Sequence, residues 1–469
     1  MKRLFVFMVL SVLPGLMPMA AAGIGFEEAR HLLGRTGFGG RWEQIQVFKS
    51  MDHAQAVTTI LKQTRTRAQT PPPEWVNEPL MSRKQIKQLS PEERKKLRQQ
   101  WRRRSFELKA WWFHEMVQTD APFSEQMTLF WHNHFTSGLR KVKSPKLIYS
   151  QNLLLRQHAL GNFRQLIHGV AKDPAMIIYL DNAFNQKGKP NENFARELLE
   201  LFTLGEGYYT ETDVKEAARA FTGWTIDRRT GKFRFVRRRH DYGAKTFMGR
   251  TGSFNGDDII NIVLEQPRVA THITTKLWQT FVSQTPDEQE IDRLAEVLRT
   301  NAYELKPLMQ ALLTSKAFRD PQTHGAMIKS PVDLIVGTLR VFQFPMGDGR
   351  GIVLASRRLG QDLMDPPNVK GWPGGTQWIS SDTLMMRRQI MDRFLRGMEM
   401  QQAGKNAGTT AAANMSPQMA SSPLFKKSLT DQTVTRVLLP LPPISPPQAL
   451  TDRQALISQL VQDPVYQLK

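Results

Sequence analysis

Between Glu192 and Leu204 the run ENFARELLELFTL sets Glu192, Arg196 and Glu200 at i, i+4 and i+8. At about 100° per residue of an α-helix, Glu192, Asn193, Arg196, Glu197, Glu200 and Thr203 share about 140° of arc. Phe194, Ala195, Leu198, Leu199, Leu201 and Phe202 take the other side. Arg196 would then bridge Glu192 and Glu200, with Glu197 next to Asn193 and Glu200. Carboxylates gathered this way could exchange protons as general acid and base, or hold a divalent cation through hard oxygen ligands. The same residues could equally form a solvated face, with ion pairs of about 0.3–0.5 kcal/mol each. Asn193 and Thr203 are weak helix formers, and their place on the charged face favours a lined cleft.

Further candidates lie in three other segments. In His132-Asn133-His134 the two imidazoles point roughly 200° apart if the segment is helical, so they cannot ligate one ion. His134 shares a face with Met127, Phe130 and Trp131 and reads as a buried, hydrogen-bonded core residue, while His132 is left free to reach a cleft. His240-Asp241 follows Arg234, Arg237, Arg238 and Arg239 and precedes Gly243 and Lys245. Such a loop could bind and act on an anionic group, or could be a turn in which Asp241 caps its own backbone. The loop Asp365–Gly375 holds three Pro and Gly371, Gly374 and Gly375 around Trp372. Trp372 either presents a flat face to a sugar ring or plugs the loop into the core. The expected catalytic set is therefore Glu192, Glu197, Glu200, His132, His240 and Asp241. The expected anion site is Arg234, Arg237, Arg238, Arg239 and Lys245.

Several chemistries are excluded. The chain has no Cys, so it carries no disulfide, thiolate nucleophile or thiolate metal site. It has no HExxH, no GxSxG, and no Gly-rich phosphate loop after a strand, which removes the motif-based cases for zinc proteases, α/β-hydrolases, P-loops and dinucleotide folds.

The elements that must position these residues read as helices. Ser90-Pro91-Glu92-Glu93 is a capping box with Pro at the first turn, and Thr285-Pro286-Asp287-Glu288 repeats the pattern. Leu97, Trp101, Leu108, Trp112 and Met116 then recur at helical spacing to about Val117, with Trp111 and Trp112 as core anchors. Similar periodicity predicts helices over Ser124–Phe135, Pro145–Leu160, Glu192–Leu204, Pro267–Phe281, Pro331–Val341 and several shorter runs. The clear strand pattern is Lys232–Val236 after Arg229-Thr230-Gly231, a small hairpin that would lift the Arg run off the helical body. The fold class expected is mainly α, a large irregular multi-helix domain with a small β-hairpin excursion.

Organisation and address follow from composition. Lys2-Arg3, an apolar run from Leu4 to Leu16, and Ala20-Ala21-Ala22 make a secretory signal peptide over residues 1–22. The expected order is then a helical domain at 23–400, a flexible Ala/Ser/Pro-rich linker at 401–450 and a short C-terminal helix at 451–469. No later run is apolar enough to span a membrane. The formal charge of +21 is concentrated in two stretches. Met81–Arg104 carries ten Lys/Arg against two Glu, and Arg228–Arg239 carries seven and no acid. In an exported protein such fields attract acidic polysaccharide, lipid headgroups or acidic proteins rather than nucleic acid.

NENFARELLELFTLGEGYYTETDVKEAARAFTGW (Asn191–Trp224), MTLFWHNHF (Met127–Phe135), HDYGAKTFMG (His240–Gly249) and DPPNVKGWPGG (Asp365–Gly375) together resemble the bacterial domain-of-unknown-function family numbered 1800. The resemblance runs from HLLGRTGFG (His31–Gly39) to WIS (Trp378–Ser380). It implies no assigned reaction. It does imply a neighbour, because such proteins are often encoded beside a second exported family that is sulfatase-like. The expectation is an exported, periplasmic or secreted protein with a hydrolase-like or lyase-like reaction on an anionic envelope polymer. The alternative is a non-catalytic binding or assembly factor docking an acidic partner through its basic surface.

Overall fold

A computed structural model describes residues 23–227, 229–407, 422–426, 428–446 and 452–469. The expected signal peptide, residues 1–22, lies outside the described residues, as do residues 408–421 of the expected linker.

The long helix Pro91–Gln118 starts where its cap demands. The Ser90 hydroxyl accepts from the Glu93 N–H at 3.2 Å, and the Glu93 carboxylate accepts from the Ser90 N–H at 2.7 Å. Its far end is closed by a buried cation. One Arg340 nitrogen donates to the carbonyls of Met116, Val117 and Thr119 at 2.9–3.0 Å, where the helix dipole is negative. Leu108, Trp112, Phe113 and Met116 are fully buried. Helices Pro122–His134, Pro145–His158, Phe163–Ala171 and Pro174–Tyr179 pack in succession beneath it. Helices Pro267–Phe281, Glu288–Thr300 and Leu305–Leu313 stack on one another, and Pro331–Phe342 crosses the long helix. The protein is mainly α-helical around one contiguous apolar core. Among the described residues no helix is long and apolar enough to cross a membrane.

Two small antiparallel hairpins interrupt the helices. Strand β1 (Trp224–Asp227) pairs with β2 (Lys232–Phe235), Trp224 opposite Phe235. Strand β3 (Lys245–Phe247) pairs with β4 (Arg250–Gly252), a hairpin too short to leave a pattern in the sequence. The first hairpin is not lifted off the body. Its turn residue Gly231 is buried, and a Cβ there would sit 2.3 Å from Leu80 and 3.2 Å from Leu147.

The body also continues past residue 400. Within the stretch read as a linker, helix Asp431–Leu438 buries Val434, Val437 and Leu438 at i, i+3 and i+4. Arg436 pairs with Glu27 at 2.7 Å, and Arg30 donates to the Pro440 carbonyl at 3.0 Å. Helix Arg453–Gln462 buries Leu456, Ile457, Leu460 and Val461. The backbone of Lys469 then exchanges two hydrogen bonds with Met327. The Pro-rich flank masked a short amphipathic helix that completes the core.

Candidate functional site

The segment Glu192–Leu204 is not one α-helix. It is α-helical over Asn193–Glu197 and π-helical over Leu198–Thr203. The Thr203 hydroxyl donates to the Leu198 carbonyl five residues back, and the Leu204 N–H donates to Leu199 at 2.9 Å. Five-residue bonding turns each residue through a smaller angle than an α-helix does, so the helical wheel slips after Glu197. Thr203, expected on the polar face, is fully buried. The carbonyls at the end of the turn are taken by side chains from elsewhere. His272 Nε2 donates to Leu201 at 3.1 Å, His134 Nε2 to Phe202 at 3.1 Å, and Arg268 Nε to Leu204 at 3.0 Å. His134 is thus a core residue whose imidazole serves this carbonyl, and burial holds its basicity well below the ordinary histidine range.

This turn presents Glu197 and Glu200. Arg196 reaches back to Glu192 at 3.2 Å but not forward to Glu200. Its two terminal nitrogens instead grip Glu211 at 2.7 and 2.8 Å, from the first turn of helix Glu211–Ala220. Glu200 accepts from the Tyr209 hydroxyl at 2.8 Å, and burial together with Glu200 pushes that phenol up to about 12. Glu197 lies between these pairs. It is half-buried and accepts no hydrogen bond from the described residues. Burial raises its carboxyl above the usual range, Glu200 adds to the rise, and Arg196 and Lys370 oppose it.

Lys370 comes from the loop Asp365–Gly375, which is pinned at both ends. Gly371, at φ +87°, lies so close to Asn133 that a Cβ would sit 2.3 Å from its side-chain oxygen. That same oxygen accepts from the Trp372 N–H at 2.7 Å. Trp372 is only 5% exposed, so it plugs the loop into the core and offers no face to a sugar. At the other end buried Asp365 pairs with Arg140 at 2.8 Å. The Tyr179 phenol beside them is raised by burial, then by Asp365, with Glu197 contributing. Lys276, whose ammonium makes no ion pair among the described residues, is lowered by burial and by Lys370. The charge centre therefore comprises Glu197, Glu200, Tyr209, Tyr179, Lys370 and Lys276. The sequence marked the loop that carries Lys370 but not its charge role. It gave no sign of Tyr179 or Lys276, and only the Gly-Tyr-Tyr turn hinted at Tyr209.

The remaining expected residues lie elsewhere. His132 is buried between Trp112 and Trp372, with ring centroids at 5.4 and 5.5 Å, and burial lowers it to about 3. It is not free to reach a cleft, because helix Pro122–His134 is buried from Phe123 through His132, on every face. His240 is also buried, its Nδ1 donating to the Thr222 carbonyl at 2.9 Å. Asp241 accepts from Arg219 at 2.8 Å and from the Gly243 N–H at 2.9 Å. The Arg219 guanidinium holds its carboxyl below the usual range. Lys245 is buried and donates to the carbonyls of Asp241 and Gly243 at 2.6 and 3.0 Å, so its ammonium is not available to an external anion. This loop is a self-satisfied turn, and none of these bonds reaches Glu197 or Glu200. Arg234, Arg237 and Arg238 are exposed, and neither they nor Arg239 form an ion pair among the described residues.

Residues 31–468 match the family described as a protein of unknown function, DUF1800. The chain belongs to the DUF1800 family. No curated protein and no solved structure matches it. The DUF1800 match takes in the whole charge centre and runs on through the two C-terminal helices. Among the described residues of this DUF1800 chain no three His, Asp or Glu side chains gather as metal ligands. Around the π-turn Arg196 takes Glu192 and Glu211, and Tyr209 takes Glu200.

Proposed function

We propose that this DUF1800 protein is an exported enzyme in which Glu197 acts as general acid and base on an anionic envelope polymer, in a hydrolase-like or lyase-like reaction. The observation that carries the reading is Glu197 itself. It is a half-buried carboxyl with no hydrogen-bond partner among the described residues, raised by burial and by Glu200, at the α-helical residue that leads directly into a π-helical turn. A carboxyl tuned upward toward the working pH is what proton transfer needs, and π-turns concentrate at functional sites. Glu200, tied to Tyr209, keeps a second carboxylate beside it. Lys370 pairs loosely with Glu206 at 3.7 Å, whereas Lys276 is lowered by burial and by Lys370, so an anionic substrate group beside Lys276 would offset both effects.

The test is to incubate the purified protein with lipopolysaccharide and with polyuronates, and to read new reducing ends and unsaturated sugar absorbance. Turnover that falls about 10²- to 10⁴-fold in Glu197→Gln supports the reading. Turnover unchanged by Glu197→Gln overturns it. The second reading, a periplasmic binding or assembly factor docking an acidic partner, such as a sulfatase-like neighbour, is favoured by Arg237 and Arg238, which are exposed and make no ion pair among the described residues. It gains if the protein is retained by these polymers without altering any of them.

A further inference from the structure

A pocket of about 460 Å³ opens on the side of the molecule that carries the first basic stretch. Leu97 and Trp101 of the long helix line its floor and walls together with Leu80, Leu147, Ile178 and Phe184. Phe184, 62% exposed, is the most open of these apolar lining residues. Four cations, Arg104, Lys141, Lys143 and Lys146, share the lining with these apolar residues.

The rim is ordered by its own pairs but is not neutralised. Arg104 binds Glu78 and lies over the Trp75 ring at 5.5 Å. Lys141 pairs with Asp181 at 2.7 Å, and Lys146 donates to the Glu78 carbonyl. The Lys143 backbone N–H caps the short turn by donating to the Leu139 carbonyl at 3.0 Å, but its ammonium has no hydrogen bond or ion pair among the described residues. It is held at φ +52°, a left-handed conformation that a Lys adopts only at a cost. Two acids thus face four bases at the mouth, next to a helix that adds more positive charge. The pocket is separate from the acid–base centre. Across the turn Leu139–Val142, Arg140 pairs with Asp365 on the Glu197 side while Lys141 lines the pocket.

We propose that this pocket binds a single-chain anionic amphiphile, its alkyl chain against Leu80, Leu97, Leu147 and Ile178 and its acidic head at Lys143, Lys146 and Arg104. The volume lies in the range of small-ligand sites, and the lining is aliphatic and aromatic with a few charges at one end. An alkyl chain gains by leaving water for such walls. A phosphate or carboxylate head gains charge-assisted hydrogen bonds at the rim. A sugar polymer would leave its hydroxyls unpaired against this floor. The head could belong to a fatty acid or to a lysophospholipid, two sources of one chemistry.

The experiment titrates the purified protein, lacking residues 1–22, with cis-parinaric acid, a fluorescent fatty acid. Oleate, lysophosphatidylglycerol and uncharged dodecyl maltoside then compete. Saturable binding with one site per chain is expected. Displacement by oleate alone names a fatty acid as the ligand, and displacement by lysophosphatidylglycerol as well admits the lipid source. Lys143→Glu should weaken the anionic ligands about tenfold while sparing dodecyl maltoside. Leu97→Trp should fill the cavity and abolish binding of all three, with circular dichroism and melting temperature confirming the fold. If Leu97→Trp unfolds the chain, Phe184→Glu at the exposed mouth replaces it. Three results overturn the proposal. They are no saturable uptake by the wild type, affinities unmoved by either variant, and cosedimentation with phosphatidylglycerol vesicles that depends on Lys143 but not on Leu97. The last would make this face a membrane-docking surface rather than a lipid pocket.

Discussion

His134 gives its Nε2 proton to the carbonyl of Phe202 across 3.1 Å, and so closes the π-helical turn that presents Glu200. The contact spans two of the chain's most distinctive motifs. Removing the imidazole leaves a buried carbonyl unpaired, which costs about 1–3 kcal/mol before any cavity term. His134→Ala should therefore lower the denaturant midpoint by at least that equivalent, and His134→Gln, whose amide can still donate, should recover part of it. An unchanged midpoint in His134→Ala would show that the turn does not depend on this bond.

Acid should unfold the protein early. His31 is lowered to about 2, His132 to about 3, His272 to about 4, and His134 well below its ordinary value, with burial as the leading cause in each case. Each stays neutral when folded and takes a proton when unfolded near 6.5. The unfolded chain thus binds more protons, and stability falls as pH drops below that value. Each group contributes about 1.4 kcal/mol per pH unit until its folded pKa is reached. Stability measured by denaturant from pH 7.5 to 5 should fall steeply below 6.5, and a flat profile would contradict the burial of these rings.

Asp173 works in the opposite direction. It caps helix Pro174–Tyr179, accepting from the Met176 N–H and from Gln151 at 2.8 Å each, and burial raises it to about 7. Its folded pKa lies above its unfolded one, so its favourable contribution is full below the ordinary carboxyl range and is lost as pH rises through 7. Asp173→Asn should be more stable than the wild type above pH 7, by a margin that shrinks toward pH 4. Denaturant titrations of both proteins at pH 8 and pH 4 check this, and a pH-independent difference would sink it.

Glu125 and Arg156 form a buried bidentate pair, at 2.6 and 2.8 Å, with Trp112 donating to the same carboxylate at 2.8 Å. Both side chains are almost wholly out of solvent. Deleting one partner strands a buried charge, so Glu125→Ala should cost about 3–5 kcal/mol, whereas replacing both by apolar residues of similar volume should cost far less. A double-mutant cycle on urea-unfolding energies measures the difference. A loss in the double variant equal to the sum of the two single losses would mean the pair does not act as a unit.

What the sequence disclosed and what it hid divide along physical lines. Local signals were legible: the Ser90 capping box, the Trp112 anchor, the core role of His134 and the β2 strand all follow from neighbours within a few residues. The π-turn was not, because the register gained after Glu197 is held by His134, His272 and Arg268, which approach from distant helices. For the same reason Arg196 was assigned to Glu200, although Glu211 beyond the turn claims it. His132, His240 and Lys245 looked reactive by type, yet only burial and carbonyl partners decide whether such groups meet solvent, and a spacing rule carries neither. Helix Asp431–Leu438 falls inside the stretch expected to be linker, because Pro outweighs the three-residue apolar stripe of Val434, Val437 and Leu438.

The Arg run separates capture from folding. Arg237 and Arg238 stand exposed in a short 3-10 turn with no carboxylate bound to them among the described residues, whereas Lys245 is buried on the carbonyls of its own loop. Guanidinium groups grip sulfate, phosphate and carboxylate in bidentate pairs. Arg237→Glu with Arg238→Glu should therefore abolish retention on a column of acidic polysaccharide or lipopolysaccharide and leave the melting temperature within error. Retention of the wild type should fall steeply with salt, since exposed charges are screened over about 8 Å at physiological ionic strength. Lys245→Met should do the reverse, lowering the melting temperature and sparing retention, because it strips hydrogen bonds from two carbonyls and removes no exposed charge. Salt-insensitive retention, or retention unmoved by the double reversal, would reduce the run to a solvated surface.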